Sequence, residues 1–394
     1  MFANNTLFQA RFKSAFRAIF SWSYPHEIMT RFPNAFDTAQ RSQPRLLVVL
    51  VALASSCIDT IDEETSAVGQ LTSDCVVPVP DGVRSLDAPV SLEYTAGSFW
   101  IWRSLELADG QIVPNASAFV SDATQACASG VTLGLDAAGA PASLLALTPQ
   151  ETAANAARSD GRQLALVPFG GFVYAGLGYL FYDHALVGPG IFDEESQGTG
   201  LCVRAAQAVT CNRVTVDGDT ILWKPDQRIL NSGGLVVDER ALVYGCRRVA
   251  SFSTPCTVSG APLDAIEVPS AYQVYNLFNG WVDQLSDASV LADELGPVTV
   301  SAFSGAFMAT TLDIFESRFY VRRMSSATGE MDRRIAIFDA LPPASWFLGG
   351  GREHSGLRRS PRTIHVSYST SGAAAPGLHL ATFRFFAELG EIYQ

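Results

Sequence analysis

Between residues 88 and 386 the chain almost never sustains an apolar pattern for longer than one short strand. Stretches at 90–94, 178–182, 241–245, 306–312, 318–323 and 378–385 alternate in polarity or run fully apolar, and clusters of Gly, Pro, Asp, Asn and Ser separate them. A period of two broken by turn residues predicts an all-β protein built from hairpins. Helical periodicity is confined to 148–158, where a proline-led acidic opening at Pro149 predicts one small surface helix.

Several pieces repeat one grammar of strand, tight turn and aromatic-rich strand. Residues 171–174 lead to 179–182, 234–237 lead to 242–245, and 300–303 lead to 307–310. Units of about sixty residues across 88–386 predict five such blades stacked around an axis, a five-bladed β-propeller, with a β-sandwich as the alternative. At this point the chain resembles a known family. Asn231-Ser-Gly-Gly-Leu-Val-Val-Asp-Glu-Arg-Ala-Leu-Val-Tyr-Gly245 is similar to the central blade of secreted bacterial five-bladed propellers catalogued as a domain of unknown function (4185). The match continues through 263–275, Asn279-Gly-Trp281, 298–323 with its Ser326-Ala-Thr-Gly329 turn, and His365-Val-Ser-Tyr368 before 377–385. It covers about 160–386, and it departs at the loop between Cys246 and Cys256 and at His354, which lies among arginines and serines.

Upstream, residues 41–57 carry an address. Arg41 and Arg45 precede nine apolar residues, 46–54, which span only ~14 Å as a helix and so form a secretory core rather than a membrane span. Leu53-Ala54-Ser55-Ser56-Cys57 resembles a bacterial lipobox, which implies lipidation of Cys57 and a lipid-anchored protein of the bacterial cell envelope, outside the cytoplasm. Lipidation removes one of seven cysteines. In an oxidising compartment the other six form disulfides, and spacing favours Cys202 with Cys211 and Cys246 with Cys256 across hairpins, leaving Cys75 with Cys127. Before the address, either translation begins at Met29 or residues 7–20 form an amphipathic helix. The expected organisation is an N-terminal extension and signal peptide at 1–56, a polar tether at 57–87, the propeller at 88–386 and a short tail at 387–394.

The 21 basic and 37 acidic residues after the first 56 leave a net charge of −16, which argues against nucleic acid as a partner. No cysteine or histidine spacing suggests a metal, and no cofactor is expected. Glycoside cleavage needs one protonated and one ionised carboxyl group across the scissile bond. Asp183 beside His184, Glu239 beside Asp238 in a hairpin turn, and Glu316 near Asp313 are the candidate catalytic carboxylates. Trp102, Tyr182 and Trp281 are the candidate sugar-stacking aromatics, with Trp281 expected to be exposed. Gly349-Gly-Gly351 with Arg352 offers backbone N–H groups that could cradle an anion, but no helix N-terminus follows and a flexible loop between blades is the expectation; the Arg322-Arg323, Arg333-Arg334 and Arg358-Arg359 pairs read as partners for carboxylates. The expected function is a monomeric, non-catalytic module binding a glycan or a surface protein. A glycoside hydrolase-like enzyme and a structural envelope lipoprotein are the alternatives.

Overall fold

The computed structural model describes residues 68–188, 193–247, 253–293, 298–314, 316–340, 345–372 and 377–393. Cys57, its signal region and the extension before it lie outside the described residues.

The three repeated hairpins close in the same way. Ala175 and Gly176, Asp238 and Glu239, and Ser304 and Gly305 all have positive φ, as two-residue turns matched to the right-handed twist of a hairpin require. Each turn sets its register, pairing Phe172 with Tyr179, Leu235 with Leu242 and Val300 with Ala309. Asp238 and Glu239 are therefore turn residues, as their pattern suggested.

These hairpins grow into five sheets that share one plan. Blade 1 orders Val90–Tyr94, Gly97–Ile101 and Ser117–Val120, with a small accessory sheet of Val83–Ser85, Ser104–Leu107 and Ile112–Pro114. Blade 2 runs Gln163–Tyr174, Leu177–Val187, Glu194–Ala205 and Asn212–Arg213. Blade 3 starts at Gly233–Val237 and Arg240–Cys246, and blade 4 at Thr299–Phe303 and Ala306–Asp313. Blade 5 places Ser345–Glu353 innermost, followed by Thr363–Gly372, Gly377–Phe385 and finally Gly69–Val76. The alternating side chains of each blade meet those of the next, giving five hydrophobic clusters, one per interface. Trp100 and Trp102 of blade 1 meet Leu378 and Leu380 of blade 5, and Phe172 and Phe181 of blade 2 meet Val243 and Tyr272 of blade 3. Each such buried side chain contributes about 1.5–3 kcal/mol. One cluster between every pair of neighbours is the signature of a closed ring, and it excludes the two-layer sandwich.

Two boundaries differ from expectation. Within the segment assigned as a tether, Gly69–Val76 pairs antiparallel with Gly377–Phe385, and Val83–Ser85 pairs with Ser104–Leu107. The few apolar side chains of Gly69–Val76 hid this strand, because as an edge it is held by backbone hydrogen bonds. The expected tail also docks: Leu389 is fully buried in the cluster between blades 4 and 5, and Tyr393 packs against it.

All three disulfides form as the spacing favoured, Cys75–Cys127, Cys202–Cys211 and Cys246–Cys256. The first fastens the outer strand of blade 5 to a helix, Ala123–Ser129, that the sequence did not suggest. The small helix that was expected spans Pro149–Ala156, opened by a capping box between Thr148 and Glu151.

Candidate functional site

The first strand of every blade faces the axis, and together the five line a cavity of about 410 Å³. This lies within the roughly 300–1,000 Å³ typical of small-ligand sites. Its charged side chains are Glu93 of blade 1, Arg352 and Glu353 at the end of the inner strand of blade 5, and Arg358 after the short turn Ser355–Leu357 that follows it. The stretch expected to be a flexible loop is thus an inner strand. Its register slips between Gly350 and Arg352, a bulge that Gly351 permits with φ at 95°. A Cβ at Gly351 would sit 2.3 Å from the Leu312 Cβ of blade 4, so glycine is needed for the close approach that sets the direction of Arg352.

Glu93 is densely hydrogen-bonded. Its Oε1 accepts from Ser91 and from the Ser98 hydroxyl at 2.9 Å, with His354 Nδ1 3.5 Å away, and its Oε2 accepts from the Gly356 backbone N–H at 2.7 Å. His354 is fully buried, its Nε2 lying 2.8 Å from the Ser367 hydroxyl. Burial would push the Glu93 carboxyl upward, but His354, Ser91 and the Gly356 N–H outweigh it and hold the carboxyl below its ordinary range. Glu353 goes the other way. Its Oε1 accepts from Arg358 Nε at 2.8 Å, whereas its buried Oε2 has no hydrogen-bond partner. Burial raises this carboxyl, Arg358 opposes the shift, and the negative charge of Glu93 adds to it. One cavity therefore holds an ionised carboxylate and a carboxyl biased towards its proton, the division of labour that acid and base catalysis uses.

The residues singled out from sequence lie elsewhere. Asp183, 4% exposed, is on the second strand of blade 2, where it accepts from Ser196 at 2.6 Å. Glu239 sits in its hairpin turn, and Glu316 accepts from Tyr320 and pairs with Arg334 at 3.3 Å in the turn after Ala306–Asp313. None of the three lines the channel cavity, and the structure does not bring them together there. Trp102 and Tyr182 are completely buried, Trp102 giving its indole N–H to the Asp87 carbonyl at 2.8 Å. Trp281 is half-buried, with the Arg240 guanidinium 4.3 Å over its ring, and the exposed aromatic of that hairpin is Phe278. All three expected stacking residues therefore belong to packing within and between blades, where their large apolar faces gain most. The arginine pairs behave as expected: Arg323, Arg334 and Arg358 meet Asp332, Asp313 and Glu353.

Sequence reasoning missed Glu93 and Glu353, and weighed Arg352 only as part of a glycine-rich loop. The available signal was positional, a carboxylate or cation on the first strand of a blade, and it becomes visible only once the blades are phased.

No protein-family model matches this sequence, and no curated protein does. Solved structures do resemble it. A candidate hydrolase from Bacteroides ovatus superposes with a TM-score of 0.53 at 11% identity, over 79% of this chain and 87% of that one. Zg3597, a family 117 glycoside hydrolase of the marine bacterium Zobellia galactanivorans, gives 0.48 at 11% identity, over 83% and 93%. A GH43_1 enzyme from Xanthomonas citri gives 0.46 at 9%, over 81% and 93%. The first of these likenesses supports the propeller fold, and at such identity it speaks to fold alone.

Proposed function

We propose that the propeller channel is a glycoside hydrolase-like active site, with Glu353 as the proton donor to the leaving oxygen and Glu93 as the ionised partner. The observation that carries this reading is the opposite bias of two carboxyl groups in one cavity. The Bacteroides ovatus structure, a candidate hydrolase on the same fold, is of the same reaction class. Incubating the folded, oxidised chain with a panel of bacterial and plant polysaccharides and reading released sugars by mass spectrometry tests it. Release is expected, and Glu93→Gln and Glu353→Gln should each abolish it.

The complete burial of the Glu353 side chain favours a second reading, a channel that binds a glycan without cleaving it. Binding by calorimetry with no release from any polysaccharide would select that one.

The same proposal places the protein among the secreted five-bladed propellers (4185) that residues 231–245 resemble, exported and lipid-anchored at Cys57 in the bacterial envelope. Metabolic labelling with a fatty acid, lost in Cys57→Ser, is the outcome that supports the anchor.

A further inference from the structure

Arg352 is 7% exposed and reaches from blade 5 across the axis to blades 2 and 3, which are not its neighbours. There it donates to the carbonyls of Ser232 and Phe169. Two of the five N–H groups of a guanidinium are used in this way, and among the described residues no carboxylate pairs with it. The other buried arginine without a carboxylate among the described residues, Arg204, lies over a ring, 3.3 Å from the Phe99 centroid. Arg352 has neither kind of partner, and it lines the cavity.

The same cavity holds two more unfinished groups. Glu353 Oε2 and Thr299 Oγ1 are both buried without a hydrogen-bond partner. Buried polar atoms are nearly always paired, so two unpartnered oxygens beside a buried guanidinium that lacks a carboxylate mark the outline of something that completes them. A buried cation without a counter-ion is costly. A planar guanidinium fork matches a planar carboxylate.

We propose that the channel takes a carboxylate-bearing sugar, a uronic acid residue, with its carboxylate seated on Arg352 and its hydroxyls meeting Thr299 and Glu353. This rests on the glycan reading of the channel given above and narrows its substrate class.

Isothermal calorimetry on the full, oxidised chain tests it with three probes: trigalacturonate, neutral galactotriose, and a sulfated galactotriose. The uronate is expected to bind about tenfold tighter than either of the others, and Arg352→Gln to remove that preference while Arg352→Lys keeps part of it. Equal affinity for the neutral sugar, or preference for the sulfate ester, overturns the proposal. The comparison among probes needs only the unmutated protein, so it stands even where Arg352→Gln fails to fold. Product analysis in parallel separates the two levels of the argument. Sugar release without acid preference overturns the uronate assignment and keeps hydrolysis, whereas acid-selective binding without release keeps the uronate and overturns hydrolysis.

Discussion

Two polar clusters in this propeller are built from a carboxylate, a histidine and arginine, and only one of them is closed. In blade 2, Glu151 from the small helix takes both terminal nitrogens of Arg213 at 2.6 Å, with His184 3.8 Å away and the Tyr182 and Thr220 hydroxyls completing the set. In the channel, Glu93 and His354 are satisfied, but Glu353 Oε2 and Thr299 Oγ1 have no hydrogen-bond partner and Arg352 meets carbonyls rather than a carboxylate. The blade 2 network is self-sufficient and fastens a helix to a sheet. The channel network is incomplete on its own.

The sharpest way to break this contrast is Glu93→Gln together with Glu353→Gln. On the hydrolytic reading, each change should lower sugar release by about 10²- to 10⁴-fold. An equal loss from a blade 2 variant would dissolve the distinction. Next comes Arg213→Met, which strands the half-buried Glu151 carboxylate and should cost about 1–3 kcal/mol in denaturant unfolding while leaving sugar affinity unchanged.

Stability against pH sharpens the comparison further. Burial first, and then the nearby Arg213 charge, depress His184 to about 4 from its ordinary 6.5. The unfolded chain thus binds this proton first, and stability falls as pH drops from about 6.5 towards 4. Burial pushes Glu151 upward, but Arg213 and the Thr148 N–H outweigh it and hold it at about 2, so its contribution is lost as pH falls from 4.5 towards 2. Glu353 is raised, so its contribution is present below 4.5 and is lost as pH climbs above that value. Melting curves should show His184→Gln flattening the acid limb and Glu353→Gln flattening the other. The smallest effect is Thr148→Ala, which removes the helix cap and should cost about 1 kcal/mol in the same denaturant assay.

Much of the ring was legible because hairpin chemistry is local. The Ala175-Gly176, Asp238-Glu239 and Ser304-Gly305 turns sit inside their own strands' alternation, so blade phase could be read from a dozen residues at a time. The site was not legible for the opposite reason. Glu93 reads as one more acid in an alternating strand, and it gains meaning only because His354, 261 residues later, folds back against it. Asp183 and Tyr182 attracted attention through their aromatic strand, yet that strand is second from the axis, and nothing local distinguishes a first strand from a second. Arg352 followed three glycines, a pattern that serves a loop and a bulge equally well.

The outermost strand of blade 5 comes from the beginning of the chain and its neighbour from the end, with Thr72 donating to the Thr382 carbonyl. This couples the order of folding to the order of synthesis. Blades 2, 3 and 4 are each continuous in sequence and can form as soon as their own residues emerge. Blade 5 must wait for Gly377–Phe385, and bringing the two ends together carries the loop-closure entropy of nearly the whole chain. Ring closure is then the step expected to be slow, and the Cys75–Cys127 bond, which spans 52 residues, ties the first strand to Ala123–Ser129 at the seam.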